Sequence, residues 1–164
     1  MSFTLREPSL PDASQIAQLH VATWREAYSH LLPENFFSEE HVRSRHQMWN
    51  HILESPREEW SIRVAECNGL IIGFAFFGPS FGAAGEELPR DRQLFSIYVA
   101  AEHQGVGVGQ ALLDATAGDC PAMLWVAKEN FRAVAFYLRN GFTFDGAEQT
   151  DPGAPRIVDA RMVR

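Results

Sequence analysis

Cysteine is scarce in this chain, with two among 164 residues, Cys67 and Cys120. They form neither a CxxC pair nor an even framework, which excludes a disulfide scaffold and favours a cytoplasmic protein with reduced thiols. Long apolar stretches are missing as well. The longest run, 70–78, falls far short of the roughly 20 residues that a membrane-spanning helix needs, so we expect no membrane partner.

Positive charge is also limited, because 14 Lys and Arg residues face 21 Asp and Glu residues for a formal net charge of −7. Nucleic-acid binding depends on clustered cations that neutralise phosphates, so no nucleic-acid partner is expected. The chain also lacks an HExxH motif, and His41, His46 and His51 recur at every fifth residue. That spacing turns successive side chains by about 140° around a helix, so they cannot share a metal ion, and no metal is expected.

A chain of 164 residues fits one domain of ordinary size, and we expect residues 1–164 to form it. Apolar periodicity and turn residues predict strands over 3–5, 60–66, 70–77, 94–99, 122–126, 142–144 and 157–163, and helices over 13–31, 38–53, 107–117 and 130–139. Asp12 and Gln15 form a capping-box signature, Asn68-Gly69 a hairpin turn, and 150–155 a loop rich in Pro and Gly. The order β-α-α-β-β-β-α-β-α-β-β predicts an α+β fold around a mixed sheet.

The most informative stretch is a strand that enters a glycine-rich turn and continues directly as an amphipathic helix. Gly105, Gly107 and Gly109 lack the Cβ atoms that would keep a ligand away from the backbone. The first turn of the helix adds N–H groups without intrahelical partners and the positive end of the helix dipole, which together favour a phosphate or diphosphate. A glycine turn that merely allows tight packing is the alternative.

Two common nucleotide-binding motifs do not fit this turn. A P-loop requires Gly-Lys-Ser/Thr, whereas Gly109 is followed by Gln110. The dinucleotide fingerprint G-x-G-x-x-G, counted from Gly105, requires a third glycine where Gln110 stands. A nucleotide-binding domain is therefore the weaker interpretation.

The turn does match the pattern Gln104-x-x-Gly107-x-Gly109, and on it the chain resembles the GNAT (GCN5-related N-acetyltransferase) family, whose signature is Q/R-x-x-G-x-G/A. The strand, turn and helix resemble motif A of that family. A second segment resembles its motif B: Leu124-Trp125-Val126, then Asn130-x-x-Ala133-x-x-x-Tyr137-x-x-x-Gly141-Phe142. Residues 92–146 match closely. The resemblance implies a three-layer fold in which helices flank a mixed, splayed sheet.

The resemblance further implies that the chain binds acetyl-CoA through backbone atoms. In this family the diphosphate lies on the N–H groups of the turn, which here comprises Gln104, Gly105, Val106, Gly107, Val108, Gly109 and Gln110. The pantetheine arm pairs with the preceding strand where the sheet splays, here at Ile97, Tyr98 and Val99. An N–H near Val99 then faces the thioester oxygen and stabilises the oxyanion, which makes Val99 a catalytic candidate.

Tyr137 matches the family position that protonates the departing thiolate. A phenol with a pKa of roughly 10 keeps its proton at neutral pH, and a thiolate whose conjugate pKa is about 8.5 benefits from receiving it. A buried tyrosine with a purely structural hydroxyl is the alternative. Asn130 matches a position that contacts the cofactor and also suits a helix N-cap. Ala133 and Phe136 are assigned to the cofactor site as well, although Phe136 also suits the core.

The general base is where the chain departs from the family. Many members carry Glu on the central strand near the position of Gln93 here, and glutamine cannot accept the proton that leaves the amine. The residues that could replace it are Glu26, Glu66, His20, Glu86 and Glu87. The sequence does not rank them, and bulk water could serve instead.

Trp24 and Tyr28 lie four residues apart on the first helix and are our candidates for the acceptor pocket, with core packing as the alternative. We interpret the chain as an acetyl-CoA-dependent N-acetyltransferase that acts on a primary amine of a small molecule or peptide. Because Cys67 and Cys120 lack the sequence context of a nucleophile, direct attack in a ternary complex is expected. A catalytically silent acyl-CoA sensor is the alternative function, and the apolar closing strands suggest a homodimer.

Overall fold

The structure, a computed structural model, describes residues 2–151 and 153–164. Within these ranges the chain forms one seven-stranded sheet and four α-helices. The strands are β1 (Thr4–Arg6), β2 (Ser61–Cys67), β3 (Leu70–Pro79), β4 (Arg92–Val99), β5 (Met123–Ala127), β6 (Thr143–Asp151) and β7 (Ala154–Val163). The helices are α1 (Ala13–Tyr28), α2 (Glu39–Glu54), α3 (Val108–Thr116) and α4 (Phe131–Arg139).

The sheet has the strand order β1-β2-β3-β4-β5-β7-β6. Neighbouring strands are antiparallel except β4 and β5, which are parallel and are connected through α3, as parallel strands require a crossover. The β2–β3 hairpin turns at Asn68 and Gly69, with φ of 52° and 78°, the left-handed conformation that the predicted two-residue turn needs. The mixed sheet and its flanking helices confirm the predicted α+β fold.

The two faces of the sheet carry different helices, because successive residues of a strand point to opposite sides. Phe74 of β3 packs with Trp49 of α2 in the core beneath α1 and α2. The next residue, Ala75, packs with Leu112 of α3 on the other face. Tyr137 of α4 is buried on this second face as well. The opening of the sheet described below is therefore lined by α1 on one side and by α3 and α4 on the other.

The start of α1 differs from the prediction. Asp12 precedes the helix, but its carboxylate accepts hydrogen bonds from the guanidinium of Arg6 at 2.8 and 2.9 Å instead of capping the first turn. Gln15 uses its side-chain oxygen to accept a bond from the backbone N–H of Ile71 at 3.0 Å. The predicted capping box is wrong because an ion pair and a strand N–H, both distant in sequence, engage these two side chains.

The ends of several elements also differ from the prediction. α1 ends at Tyr28 and is followed by a 3-10 turn, Ser29–Leu31. β6 continues to Asp151 and β7 begins at Ala154, so much of the predicted loop over 150–155 is strand; Pro152 lies outside the described residues. Most side chains of β6 are exposed, and a strand with little burial lacks the apolar alternation by which strands are recognised.

The described residues contain no helix that is both long enough and apolar enough to cross a lipid bilayer. Across the same part of the chain, His, Cys, Asp and Glu side chains form no group that could hold a metal ion. Cys67 and Cys120 are both free thiols.

Candidate functional site

β4 and β5 separate before either strand ends. In the described residues their parallel register comprises Gln93 with Met123 and Leu94 with Leu124, although β4 continues to Val99. The remaining part of β4 keeps its pairing with β3 on the other side. The sheet thus opens between β4 and β5, which confirms the splay that the family resemblance implies.

The backbone of Ile97 and Val99 faces this opening. The N–H of Ala100 donates to the carbonyl of Ile72 at 2.8 Å, and antiparallel partners alternate between hydrogen-bonded and non-hydrogen-bonded pairs. Val99 and Ile97 therefore occupy non-hydrogen-bonded positions in the β3–β4 register, with their N–H and C=O groups turned towards β5. Tyr98 instead bonds to β3 through its backbone and directs its side chain to the α1 face.

The glycine-rich turn leaves a run of backbone N–H groups without partners. Gly105 and Gly107 have φ of 79° and 94°, a left-handed conformation that glycine adopts without steric cost. The first bond into α3 comes from the N–H of Ala111 to the carbonyl of Gly107. The N–H groups of residues 105–110 donate to no acceptor in the part of the chain that the structure describes. Six such groups at a helix N-terminus form a site for an anion.

The side chains of the turn divide between the core and solvent. Val108 is buried against β3, whereas Val106 is exposed. Gln104 uses its own N–H to donate to the carbonyl of Ala101, and its side-chain Nε2 donates to the carbonyl of Val99 at 2.9 Å. Gln104 thus ties the turn to the end of β4 and contributes no free N–H. The predicted diphosphate site therefore narrows to the N–H groups of residues 105–110.

Arg132 adds a positive charge beside the turn, and the sequence analysis missed it. A Cβ atom built on Gly105 would lie 3.8 Å from a guanidinium nitrogen of Arg132. Arg132 lies in the first turn of α4 and is exposed. A guanidinium next to unpaired N–H groups strengthens an anion site. The only sequence signal was its position two residues after Asn130, which cannot reveal that α4 begins next to the turn.

Tyr137 lies buried on α4, and its hydroxyl has no hydrogen-bond partner among the described residues. Its ring packs against Phe136 and Phe142 with centroid distances of 5.5 and 5.9 Å. Burial raises the pKa of Tyr137 well above that of a free phenol, so the group keeps its proton across the neutral range. The hydroxyl bonds to no atom of residues 2–151 and 153–164. Because every buried side-chain N or O atom in those ranges has a partner, the hydroxyl oxygen must be reached by solvent.

Asn130 and Tyr28 connect the two faces of the sheet. The side-chain oxygen of Asn130 accepts from the N–H of Ala133 at 3.2 Å and caps α4, while its NH₂ group donates to the hydroxyl of Tyr28 at 2.8 Å. Tyr28 lies on α1, so this contact passes through the opening of the sheet. The hydroxyls of Tyr28 and Tyr98 also act electrostatically on Tyr137. The three tyrosines of the chain thus gather at the opening.

Trp24 borders the opening from the α1 side. Its indole N–H donates to the hydroxyl of Tyr98 at 3.0 Å, and its ring lies parallel to that of Phe36 at 5.9 Å. A cavity of about 10 Å³, room for one water molecule, lies between Trp24, Phe36, His20 and neighbouring side chains. The predicted acceptor residues Trp24 and Tyr28 are therefore next to the predicted cofactor strand, and their polar atoms are bonded to Tyr98 and Asn130.

The candidates for the general base are not at the opening, with one exception. Gln93 is buried at the closed end of β4, roughly 20 Å along the strand from Val99, where its side-chain oxygen accepts from the N–H of Phe81 at 3.1 Å. Glu66 pairs with Arg6 at the β1 edge of the sheet, and Glu86 bonds to a backbone N–H of its own loop. Glu26 and Glu87 are exposed. His20 remains.

His20 stacks on Tyr98, with ring centroids 5.1 Å apart, but its surroundings disfavour the protonated imidazole. Burial lowers its pKa to about 3, and the positive charge of Arg45 contributes. Its Nδ1 accepts a hydrogen bond from the indole N–H of Trp49 at 3.3 Å, so the neutral ring carries its proton on Nε2. The other ring nitrogen, Nε2, is therefore a donor.

Comparisons with known proteins agree with this geometry. Residues 58–144 match the family model described as an acetyltransferase (GNAT) domain. The chain is 30% identical over 141 residues to the uncharacterized N-acetyltransferase YuaI of Bacillus subtilis, over 82% of this chain and 76% of that protein. It is 28% identical over 141 residues, with the same coverage of 82% and 76%, to the probable N-acetyltransferase Rv2775 of Mycobacterium tuberculosis. The PaiA N-acetyltransferase of Thermoplasma acidophilum, solved with coenzyme A, superposes with a TM-score of 0.74 at 20% identity, over 100% of this chain and 99% of that one.

Proposed function

The chain belongs to the GNAT acetyltransferase family, and we propose that it transfers an acetyl group from acetyl-CoA to a primary amine of a small molecule or peptide. The observation that carries the proposal is the run of unpaired N–H groups over 105–110 directly beyond the open end of β4. The N–H groups can hold an anionic diphosphate, while the open edge of β4 receives the pantetheine arm attached to that diphosphate. That combination fits the shape and charge of coenzyme A.

The binding part of the proposal uses backbone groups and one cation. Six N–H groups and the guanidinium of Arg132 face the position of the diphosphate. The outward-facing N–H and C=O groups of Ile97 and the N–H group of Val99 can pair with the amides of the pantetheine arm, as an added strand would, while the carbonyl of Val99 accepts from Gln104. Phe136 packs beside Gly109 at the same place. The coenzyme A found in the PaiA structure supports this assignment.

Acetyl-CoA, when bound, supplies an acetyl group activated as a thioester. The N–H of Val99 is the donor for the carbonyl oxygen, on which negative charge develops during attack. As the amine nitrogen bonds to the carbonyl carbon and the C–S bond breaks, the hydroxyl of Tyr137 gives its proton to the sulfur that leaves. The neutral amine loses one proton to water as the amide forms, and Tyr137 regains a proton from water, so the overall proton count is unchanged.

Direct attack by the amine is part of the proposal, because the thiols of the chain lie away from the opening. Cys67 is at the end of β2 that pairs with Leu70 in the hairpin. Cys120 follows α3 and its thiol contacts the carbonyl of Pro121. Neither can take the acetyl group before it reaches the amine, so both substrates have to be bound together.

A homodimer is a separate part of the proposal. β6 is an edge strand of the sheet, and an edge strand is a place where a second copy can add a strand. Sedimentation equilibrium measures the oligomeric state directly. A monomer across micromolar concentrations would contradict the proposed homodimer and leave the proposed enzymatic activity intact.

The test of the proposed function is amine-dependent release of free thiol from acetyl-CoA. We expect the chain to bind coenzyme A in calorimetry and to release thiol when a primary amine from a chemical panel is added. Binding without thiol release for any amine would identify an acyl-CoA sensor. Preference for NAD or ATP over acetyl-CoA in a thermal-shift comparison would identify a nucleotide-binding domain.

A further inference from the structure

A carboxylate that the sequence analysis did not consider lies on β7 near the opening. Asp159 is half-buried and pairs with Ala127 at the last position of β5. Alternate residues of a strand share a face, so Asp159 lies on the same face as Ile157. Ile157 packs with Tyr28 and with the 3-10 turn after α1. Asp159 is therefore on the α1 face of the sheet, beside the last residue of β5 and three positions beyond Leu124, the last residue of β5 that pairs with β4.

The charge of Asp159 reaches both tyrosines of the α1 face. Burial is the main cause that raises the pKa of Tyr28 to about 12, and the negative charge of Asp159 acts in the same direction. Burial also raises the pKa of Tyr98, again with a contribution from Asp159. The positive charge of Arg45 on α2 acts on Tyr98 in the opposite direction. Asp159 thus supplies negative charge to the surface on which an acceptor would approach the thioester.

The groups around Asp159 suit an ammonium ion. The hydroxyl oxygens of Tyr28 and Tyr98 each accept one bond from the protein and retain a second lone pair for a donor. The rings of Trp24 and Tyr28 meet edge to face at 5.0 Å, and aromatic faces attract cations. An ammonium ion carries three donors, which match one carboxylate and two hydroxyl oxygens.

We propose that Asp159 binds the ammonium group of the acceptor and so selects primary amines that arrive as cations. This inference rests on the proposed function, since it names the substrate class of the same site. Asp159 acts in recognition: it holds the ammonium group next to the opening until one proton passes to water and frees the amine for attack. A second proton leaves the nitrogen once the C–N bond has formed, and it replaces the proton that Tyr137 gives to the sulfur. The net charge of −7 adds a general attraction for such a substrate.

The experiment compares Asp159→Asn with the parent on charged and neutral amines. At pH 7.5, butylamine and phenethylamine are cations, whereas aniline is uncharged. We expect the KM of both cations to rise about tenfold or more in Asp159→Asn, the loss typical of a charge-assisted bond, with the KM of acetyl-CoA and the rate with aniline unchanged. Asp159→Glu, which keeps the charge, should restore much of the binding. Glu148→Gln, on the neighbouring strand and paired with exposed Lys128, is the matched control and should behave as the parent.

Binding of the amines to the coenzyme A complex is measured separately by calorimetry, so that the inference does not depend on turnover. If the cations bind the parent tightly and Asp159→Asn weakly but no thiol is released, the inference holds and the proposed function fails. If Asp159→Asn loses activity equally with aniline and the cations, or binds the cations as the parent does, the inference is overturned. Failure of all cationic amines to bind the parent overturns it as well. Circular dichroism and melting of each variant establish that it folds.

Discussion

The indole N–H of Trp24 donates a hydrogen bond to the hydroxyl of Tyr98 at 3.0 Å, across 74 positions of the sequence. It joins α1, which we assign to the acceptor, to β4, which we assign to the pantetheine arm. The bond fixes the ring of Trp24 at the edge of the opening. Together with the stacking of His20 on Tyr98, this bond connects the two halves of the site.

Replacement of Trp24 by Phe should weaken acceptor binding more than cofactor binding. The ring is kept, but Tyr98 loses its only donor among the described residues, at a cost of about 1 kcal/mol in the free energy of unfolding. We expect a higher KM for the amine and a nearly unchanged KM for acetyl-CoA in steady-state kinetics. Trp60→Phe is the control, since the indole N–H of Trp60 bonds to no described acceptor. Equal changes in both constants would contradict the assignment of Trp24.

Replacement of Tyr137 by Phe should lower kcat by about two to four orders of magnitude, the contribution of a positioned general acid. Stability should change little, because the hydroxyl bonds to no described atom. Burial raises the pKa of Tyr137, so the parent should show no loss of kcat from this group between pH 6 and 9. Thiol release measured across that range tests both statements. A variant as active as the parent would remove Tyr137 from the mechanism.

Replacement of Gly107 by Ala should destabilise the turn even though no atom lies within 4 Å of the added methyl group. The φ of 94° is unfavourable for any residue with a Cβ, at a cost of about 1–2 kcal/mol. Urea unfolding measures the loss. Gly109→Ala is the comparison, because its φ is ordinary and the nearest atom, on Phe136, lies 3.7 Å away. Equal stability of the two variants would show that the turn relaxes without cost.

Replacement of Arg132 by Ala should weaken binding of coenzyme A several-fold, because one cation beside the diphosphate is lost. The loss should shrink as salt rises, since an exposed charge is screened. Calorimetric titration at two ionic strengths measures both effects. Arg43→Ala, which removes an exposed charge from α2, is the control for net charge. An unchanged affinity at low salt would show that the backbone N–H groups suffice.

Replacement of Asp12 by Asn should remove stability that the parent has at neutral pH. The guanidinium of Arg6 lowers the pKa of Asp12 to about 2, below the value of about 3.9 in an unfolded chain. A lowered carboxylate pKa stabilises the fold above pH 4, and this stabilisation disappears as the pH falls through 2. Because the side chain of Arg6 is 39% exposed, we expect only about 1–2 kcal/mol.

Urea unfolding of Asp12→Asn and the parent at pH 7 and pH 2.5 tests this ion pair. The difference between the two proteins should be largest at pH 7 and shrink at the lower pH. Asp119→Asn, at an exposed carboxylate that bonds to no described residue, is the matched control. A difference that stays constant with pH would mean that Asp12 acts through its shape and not its charge.

Local pattern was enough to predict the elements that we assign to the cofactor. Gly107 stands where the chain must turn with a positive φ, and Asn130 caps α4 as its residue type favours. Both depend on neighbours a few residues away. By contrast, the capping box at Asp12 was wrong because Arg6 on β1 donates to the carboxylate of Asp12 and the N–H of Ile71 on β3 donates to Gln15. The length of β6 was underestimated because an exposed edge strand has no apolar face by which it can be recognised.

The amino-acid sequence by itself determined the family, the element order and the position of the glycine-rich turn, since these follow from residue spacing within short segments. Only the tertiary structure decided which groups surround the opening. Arg132 lies beside the turn, and the charge of Asp159 acts on Tyr28 and Tyr98. Both follow because β4 and β5 separate after two pairs, so that side chains from both faces reach the opening. Such neighbours depend on how strands pair and where they diverge, and no short-range pattern encodes that divergence.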